Sequence, residues 1–140
     1  MKALITATAI AAAALLGACS TQQPATNADM AKQGAGAPST PTVTQDGTLI
    51  GPDGRTLYFF SRDARGSGKS ACVDQCATNW PPLAVAATAK PIGDYTIVSR
   101  ADGSKQWAYK GMPLYYFAKD TKPGDKTGQG IGGVWTVARP

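Results

Sequence analysis

The chain contains no histidine and no glutamate in 140 residues. Without histidine there is no Ser-His-Asp or Cys-His site, no His-ligated zinc, and no C-x-x-C-H haem attachment. Every carboxylate side chain is therefore an aspartate, nine in all. Cysteine is scarce, at three residues. The 14 lysines and arginines are scattered and form no basic block of the kind that tracks nucleic acid, so nucleic acid is not an expected partner. No acid/base set stands out beyond isolated aspartates, and no catalytic residue, metal ligand set or cofactor is expected.

What is present begins with a leader. Met1-Lys2 is a short basic start, and Ala3 to Leu16 is apolar apart from Thr6 and Thr8. The run is too short to span a bilayer and suits the h-region of an export signal. Leu16-Gly17-Ala18-Cys19 resembles the lipobox of bacterial lipoproteins. That resemblance implies cleavage after residue 18 and makes Cys19 the carrier of acyl chains such as palmitate. Two or more chains anchor durably, each buried methylene contributing about 0.8 kcal/mol. Ser20 in place of Asp favours, by the same resemblance, the outer membrane. Lys2 leaves with the leader, which lowers the net charge from +5 to +4. That mild excess suits anionic lipid or polysaccharide surfaces.

Residues 20–44 are rich in Ala, Thr, Gln, Pro and Gly, and only Met30 and Val43 are large and apolar. Such a segment cannot bury enough surface to offset its ordering entropy. It reads as a tether of roughly 25–30 Å mean reach. The expected organisation is thus leader 1–18, lipidated Cys19 with tether to 44, and a folded unit over 45–140 that holds every aromatic residue. Within that unit the signals are β. Pro52-Asp53-Gly54 and Asp102-Gly103 sit between apolar or alternating runs as hairpin turns. LYYFA (114–118) and GVWTVA (133–138) read as strands. One or two helical turns fit SACVDQCATNW (70–80), with Ser70 able to cap and Pro81-Pro82 to stop them. The fold class is all-β: a small antiparallel sandwich or barrel-like domain, with one helical turn near the Cys pair.

LYFFSRD (57–63) returns as LYYFAKD (114–120). Tyr58, Phe60 and Asp63 match Tyr115, Phe117 and Asp120. In a strand, residues two apart share a face. Tyr58 and Phe60 therefore point together, with Leu57 and Phe59 opposite; Tyr115 and Phe117 split likewise from Leu114 and Tyr116. Each Asp falls at a strand end, where its side chain can accept backbone N–H groups and fix a corner. Gly54 matches Gly111, and a Trp follows each Asp, at 80 and 135. The copies are expected to pack about a pseudo-twofold axis, the phrase being structural, with a direct ligand role the competing reading. The two motif copies, the Cys pair leading into WPPL and the segment GMPLYYFAKDTKPGDKTGQGIGGVW resemble the bacterial secreted-repeat lipoproteins, with their Y-x-(F/W/Y)-x-x-D motif. The resemblance implies a lipid-anchored or secreted domain without implying a reaction. The second copy lacks cysteines, so the Cys pair is not a property of the repeat.

Once exported, a protein meets an oxidising environment, and with Cys19 acylated the remaining pair is Cys72 and Cys76. A structural disulfide across so short a ring stabilises by about 2 kcal/mol. A strained, exposed bond would instead be reducible and redox-active. GSGKS (66–70) is no phosphate loop, because Asp63 stands where the first glycine is needed. PGDKTGQGIGG (123–133) is a flexible connection or a binding loop, with Gly124, Asp125, Gly128, Gln129 and Gly130 as candidate contacts. Two functions compete, with an enzyme built on an aspartate pair, Asp63 and Asp120, ranked behind both. One is a non-enzymatic, lipid-anchored module that binds an envelope protein or cell-wall component through this loop and exposed aromatics such as Trp107. The other is a redox or cofactor-binding accessory to envelope electron transfer.

Overall fold

The structure, a computed structural model, describes residues 40–140. The leader, Cys19 and residues 20–39 of the expected tether lie outside the described residues. Among the described residues the strands are β1 (Thr42–Val43), β2 (Leu49–Ile50), β3 (Tyr58–Phe60), β4 (Tyr95–Ser99), β5 (Lys105–Tyr109), β6 (Met112–Pro113) and β7 (Trp135–Val137), with one short α-helix, α1 (Gln75–Asn79), and a 3-10 turn at Ile131–Gly133. Among the described residues they form three small antiparallel sheets, β1-β2, β3-β7 and β4-β5-β6, rather than a closed barrel. The all-β reading and the helical turn beside the cysteines hold.

Turn chemistry sets the hairpins. Gly103 adopts φ 81°, its N–H bonds Arg100 O, and Asp102 Oδ1 accepts Ser104 N–H at 2.9 Å, which turns β4 into β5. Lys110 and Gly111 both take positive φ, the left-handed pair that a two-residue hairpin needs between β5 and β6. At 51–55 the expected Pro-Asp-Gly turn closes through Gly54 N–H to Gly51 O and Gly51 N–H to Arg55 O, both 2.9 Å.

The two repeats are knitted by matching backbone bonds. Leu57 N–H donates to Leu49 O and Leu114 N–H to Trp107 O, each at 2.9 Å. Ala138 N–H donates to Leu57 O at 2.8 Å, and Leu83 N–H to Leu114 O at 2.9 Å. Ser61 N–H to Val134 O (2.8 Å) has its counterpart in Ala118 N–H to Asn79 O (2.9 Å). The terminal segment of each repeat therefore lies against the other repeat. At the centre Tyr58 and Tyr115 exchange both backbone bonds, at 2.8 and 3.1 Å, which places the pseudo-twofold axis between them.

Proline explains one asymmetry between the two pairings. In the first pairing β3 and β7 form a ladder, Phe60 opposite Trp135 and Tyr58 opposite Val137. In the second, Trp80-Pro81-Pro82 takes the place of Trp135-Thr136-Val137. Proline has no N–H to donate. The ladder is reduced to Tyr116 N–H on Pro81 O (2.8 Å) and an isolated Pro82–Tyr115 bridge, so LYYFA is not a regular strand as expected. Pro81-Pro82 follows the end of α1 at Asn79, as expected of a helix stop, and also occupies the place that Thr136-Val137 hold in the other repeat.

The strand alternation divides the core as anticipated. Leu57, Leu114 and Tyr116 join Leu49, Leu83, Trp107, Tyr109 and Ala138 in one cluster, with Phe59 packed against it. Tyr58, Phe60, Tyr115 and Phe117 join Cys72, Trp80 and Trp135 in the other. Three expectations need correction. The tether does not run to 44, because Thr42 and Val43 already pair with Ile50 and Leu49. Ser70 does not cap α1; Asp74 occupies that position without a side-chain bond. Trp107 is not exposed but 2% accessible, since β5 is the central strand of its sheet and its ring lies inside the first cluster.

This exchange of terminal segments predicts that residues 40–84 and 96–140, made as separate chains, stay unfolded alone. Mixed together, they should regain near-ultraviolet dichroism. Either half folding by itself would contradict the exchange.

Candidate functional site

The repeated phrase assembles into one buried constellation. Tyr58 Oη donates to Asp120 Oδ2 at 2.5 Å, and Tyr115 Oη donates to Asp63 Oδ2 at 2.6 Å. Each tyrosine thus bonds the aspartate of the other repeat. The second carboxylate oxygens do the corner work expected of them: Asp63 Oδ1 accepts Ala71 N–H at 2.6 Å, and Asp120 Oδ1 accepts Thr127 N–H at 3.0 Å and Thr127 Oγ1–H at 2.5 Å. Asp63 and Asp120 are 5% and 1% exposed, and both tyrosines are wholly buried.

Around these bonds the rings form a continuous column. Phe117 stacks on Trp80 at 4.3 Å, Trp80 on Trp135 at 3.8 Å and 6° between planes, and Trp135 on Phe60 at 4.3 Å. Tyr58 meets Trp80 edge-on at 5.3 Å, and Tyr115 meets Trp135 edge-on at 5.2 Å. Aromatic contacts of this kind contribute about 0.5–1.5 kcal/mol each beyond their buried area. Each stack joins rings from different repeats, so the column is also a seam.

Burial sets the electrostatics. It pushes the Tyr58 hydroxyl well above its ordinary value, with the Asp120 carboxylate adding to the rise. Tyr115 is raised in the same way by burial and then by Asp63. Asp63 itself is raised by burial, against the opposing pull of Ala71 N–H, Tyr115 Oη–H and the Arg100 charge. Both phenols stay protonated donors, and both carboxylates are occupied on each oxygen.

The two ends of the axis differ. Beside Tyr115, Arg100 is 7% exposed and donates to Ser70 Oγ (2.8 Å), Gln106 Oε1 (2.7 Å) and Cys72 O (2.6 Å), all neutral oxygens. Ser70 Oγ lies 2.7 Å from Tyr115 Oη, so the guanidinium reaches the Tyr115–Asp63 pair through one hydroxyl. Sequence reasoning missed Arg100, Ser70 and Gln106 as a network. The available signal was that Arg100 continues the Val98 face of β4, and Val98 is 3% exposed. Cys72 and Cys76 form the expected disulfide; Cys72 is wholly buried, and Cys76 packs against the aromatic column.

Beside Tyr58 stands the glycine-rich segment. Gly128 N–H donates to Tyr58 Oη at 3.2 Å, and a Cβ at Gly128 would lie 2.7 Å from the Trp80 ring. That glycine is required by close approach. Gln129 Oε1 accepts Val137 N–H at 2.7 Å. Asp125 Oδ2 accepts Thr121 and Lys122 N–H; burial pulls its pKa upward, but these amides and Lys122 hold it below the usual range. Gly130 takes φ 79° and its N–H bonds Trp135 O, while Gly124, at φ 87°, has open space around its Cα. Most of the polar groups expected as ligand contacts are therefore engaged within the protein, tying the loop to Tyr58, to β7 and to the residues just before it.

Such a constellation, closed between two copies of one unit, defines an all-β repeat protein. A family model described as "Secreted repeat of unknown function" matches residues 41–84 and 96–139, one match per copy, and the chain belongs to that family. Membership implies export. No curated protein and no solved structure matches the chain.

Asp63→Asn and Asp120→Asn each leave a buried phenol facing an amide, at a cost of about 1–3 kcal/mol, visible as a lower Tm in both variants. The Asp63 variant carries a pH signature as well. Its folded pKa lies above the ordinary 3.8, so the native chain keeps this proton longer than the unfolded one. The stability it contributes is full below the unfolded value and is lost as pH rises through the folded value. The deficit of Asp63→Asn, read by urea denaturation, should shrink from acid to neutral pH; a deficit that grows would contradict the assignment.

Proposed function

We propose that the chain is a lipid-anchored, non-catalytic binding module of the cell envelope, placed at the outer membrane, that takes an envelope protein or cell-wall component as its partner. The observation that carries this reading is the closure of the motif on itself. Tyr58, Asp63, Tyr115 and Asp120 spend their hydrogen-bonding groups across the repeat seam and on local backbone, which favours a rigid frame over a reaction for the repeated motif. Export by family membership and the Leu16-Gly17-Ala18-Cys19 run support the anchor. The buried position of Cys72, whose carbonyl takes the Arg100 guanidinium, supports a structural disulfide over a redox-active one.

Intact-mass spectrometry of the chain extracted from outer membranes tests the anchor. The expected mass is that of residues 19–140, oxidised at Cys72–Cys76, with acyl chains on Cys19. A Cys19→Ala variant should lose the acyl mass and leave that fraction. A mature chain without lipid, beginning elsewhere, would overturn the reading.

A further inference from the structure

We infer that the face on which the folded unit begins is a membrane-docking surface, fitted to the interfacial zone of an anionic bilayer; this rests on the lipid anchor proposed above. Four large apolar residues stand exposed among the described residues, and the two most exposed, Ile92 at 61% and Val43 at 50%, line one shallow depression. Tyr95, Tyr109, Pro41 and Pro140 share its wall with the Gly93-Asp94 tip. Ile92 is held outward rather than frayed, because Ile92 N–H donates to Tyr95 O (3.0 Å) and Tyr95 N–H to Ile92 O (2.9 Å) across the Gly93-Asp94 tip.

The composition is that of an interfacial anchor. Tyrosine rings with branched aliphatic side chains suit the headgroup boundary, and a lysine beside them suits its negative charge. Lys110 Nζ lies 5.2 Å from the ring centroid of Tyr109. Asp94 is the opposing charge at the tip, and it is paired with Lys110 at 3.9 Å.

The position of the chain selects this occupant. Thr40, the first described residue, itself lines the depression, so the segment that follows Cys19 enters the fold at this face. Only residues 20–39 separate the two. A connection of so few residues holds the patch at an effective concentration on the order of mM relative to the bilayer, so weak affinity suffices for docking.

The test uses the lipidated full chain reconstituted in vesicles of phosphatidylethanolamine and phosphatidylglycerol, with or without brominated acyl chains. Ile92→Trp and Val43→Trp place fluorescent reporters in the patch. Ile131→Trp, at another exposed apolar position outside this depression, is the control, and the unsubstituted chain gives the background of its three tryptophans. Docking predicts strong bromine quenching of the reporters at 92 and 43, little at 131, and weaker quenching when phosphatidylcholine replaces phosphatidylglycerol. A chain that floats with the vesicles but shows equal or no quenching at 92, 43 and 131 overturns the docking surface while leaving the anchor intact; the patch would then face a protein. A chain that does not float overturns the anchor, and this surface with it.

Discussion

Two phenol-to-carboxylate hydrogen bonds, crossed between the repeats, are the constraint on which the rest of the molecule depends. A buried tyrosine hydroxyl or aspartate without a partner costs free energy comparable to a lost hydrogen bond. Neither repeat can meet that demand alone in this arrangement, because Tyr58 finds its acceptor on Asp120 and Tyr115 on Asp63. The same crossing appears in the backbone, where Tyr58 and Tyr115 exchange bonds and each repeat's final segment lies on the other. It appears again in the rings, where Trp80 stacks on Phe117 and Trp135 on Phe60. With three small sheets and strands of two to five residues, regular secondary structure alone is a slender frame. The seam makes one cooperative unit from two short ones.

Symmetry at the seam frees the periphery to differ. One end of the axis carries the disulfide, α1 and the buried Arg100 with its three neutral acceptors. The other end closes with Gly128 packed against Trp80 and Thr127 on Asp120, needing neither cysteine nor arginine. The disulfide region and the glycine-rich segment are thus alternative ways of covering equivalent tyrosine–aspartate pairs, Tyr115–Asp63 and Tyr58–Asp120. That division accounts for cysteines in one copy only. The most exposed large apolar side chains among the described residues, Ile92 and Val43, lie away from both ends of the seam's chemistry, on the outer surface.

Much of the core was legible because it is written in short-range patterns. The alternation of Tyr58 and Phe60 with Leu57 and Phe59 foretold two clusters, and Asp63 and Asp120 at strand ends foretold side chains capping corners. A tryptophan trailing each motif foretold a matched pair. What escaped was long-range. Nothing local tells Tyr58 that its acceptor lies 62 residues on, or that the end of one repeat pairs with the other. Pro81-Pro82 has the signature of a helix stop, although the segment stands in for the strand residues Thr136-Val137. Trp107, flanked by Lys105, Gln106 and Lys110, has polar neighbours in sequence but is covered in space. Gln106 itself is fully buried because Arg100 and Leu114 O satisfy it. The candidate loop read as free because glycine marks both mobile segments and tightly packed ones; at Gly128 it is the second.

The measurement that tests the crossed arrangement most directly is a set of double-mutant cycles on unfolding free energy, combining Tyr58→Phe or Tyr115→Phe with Asp63→Asn or Asp120→Asn. Crossing predicts coupling of roughly 1–3 kcal/mol for the pairs Tyr58–Asp120 and Tyr115–Asp63. The same-repeat pairs Tyr58–Asp63 and Tyr115–Asp120 should be additive to within about 0.5 kcal/mol. Coupling within each repeat and additivity between repeats would contradict the account.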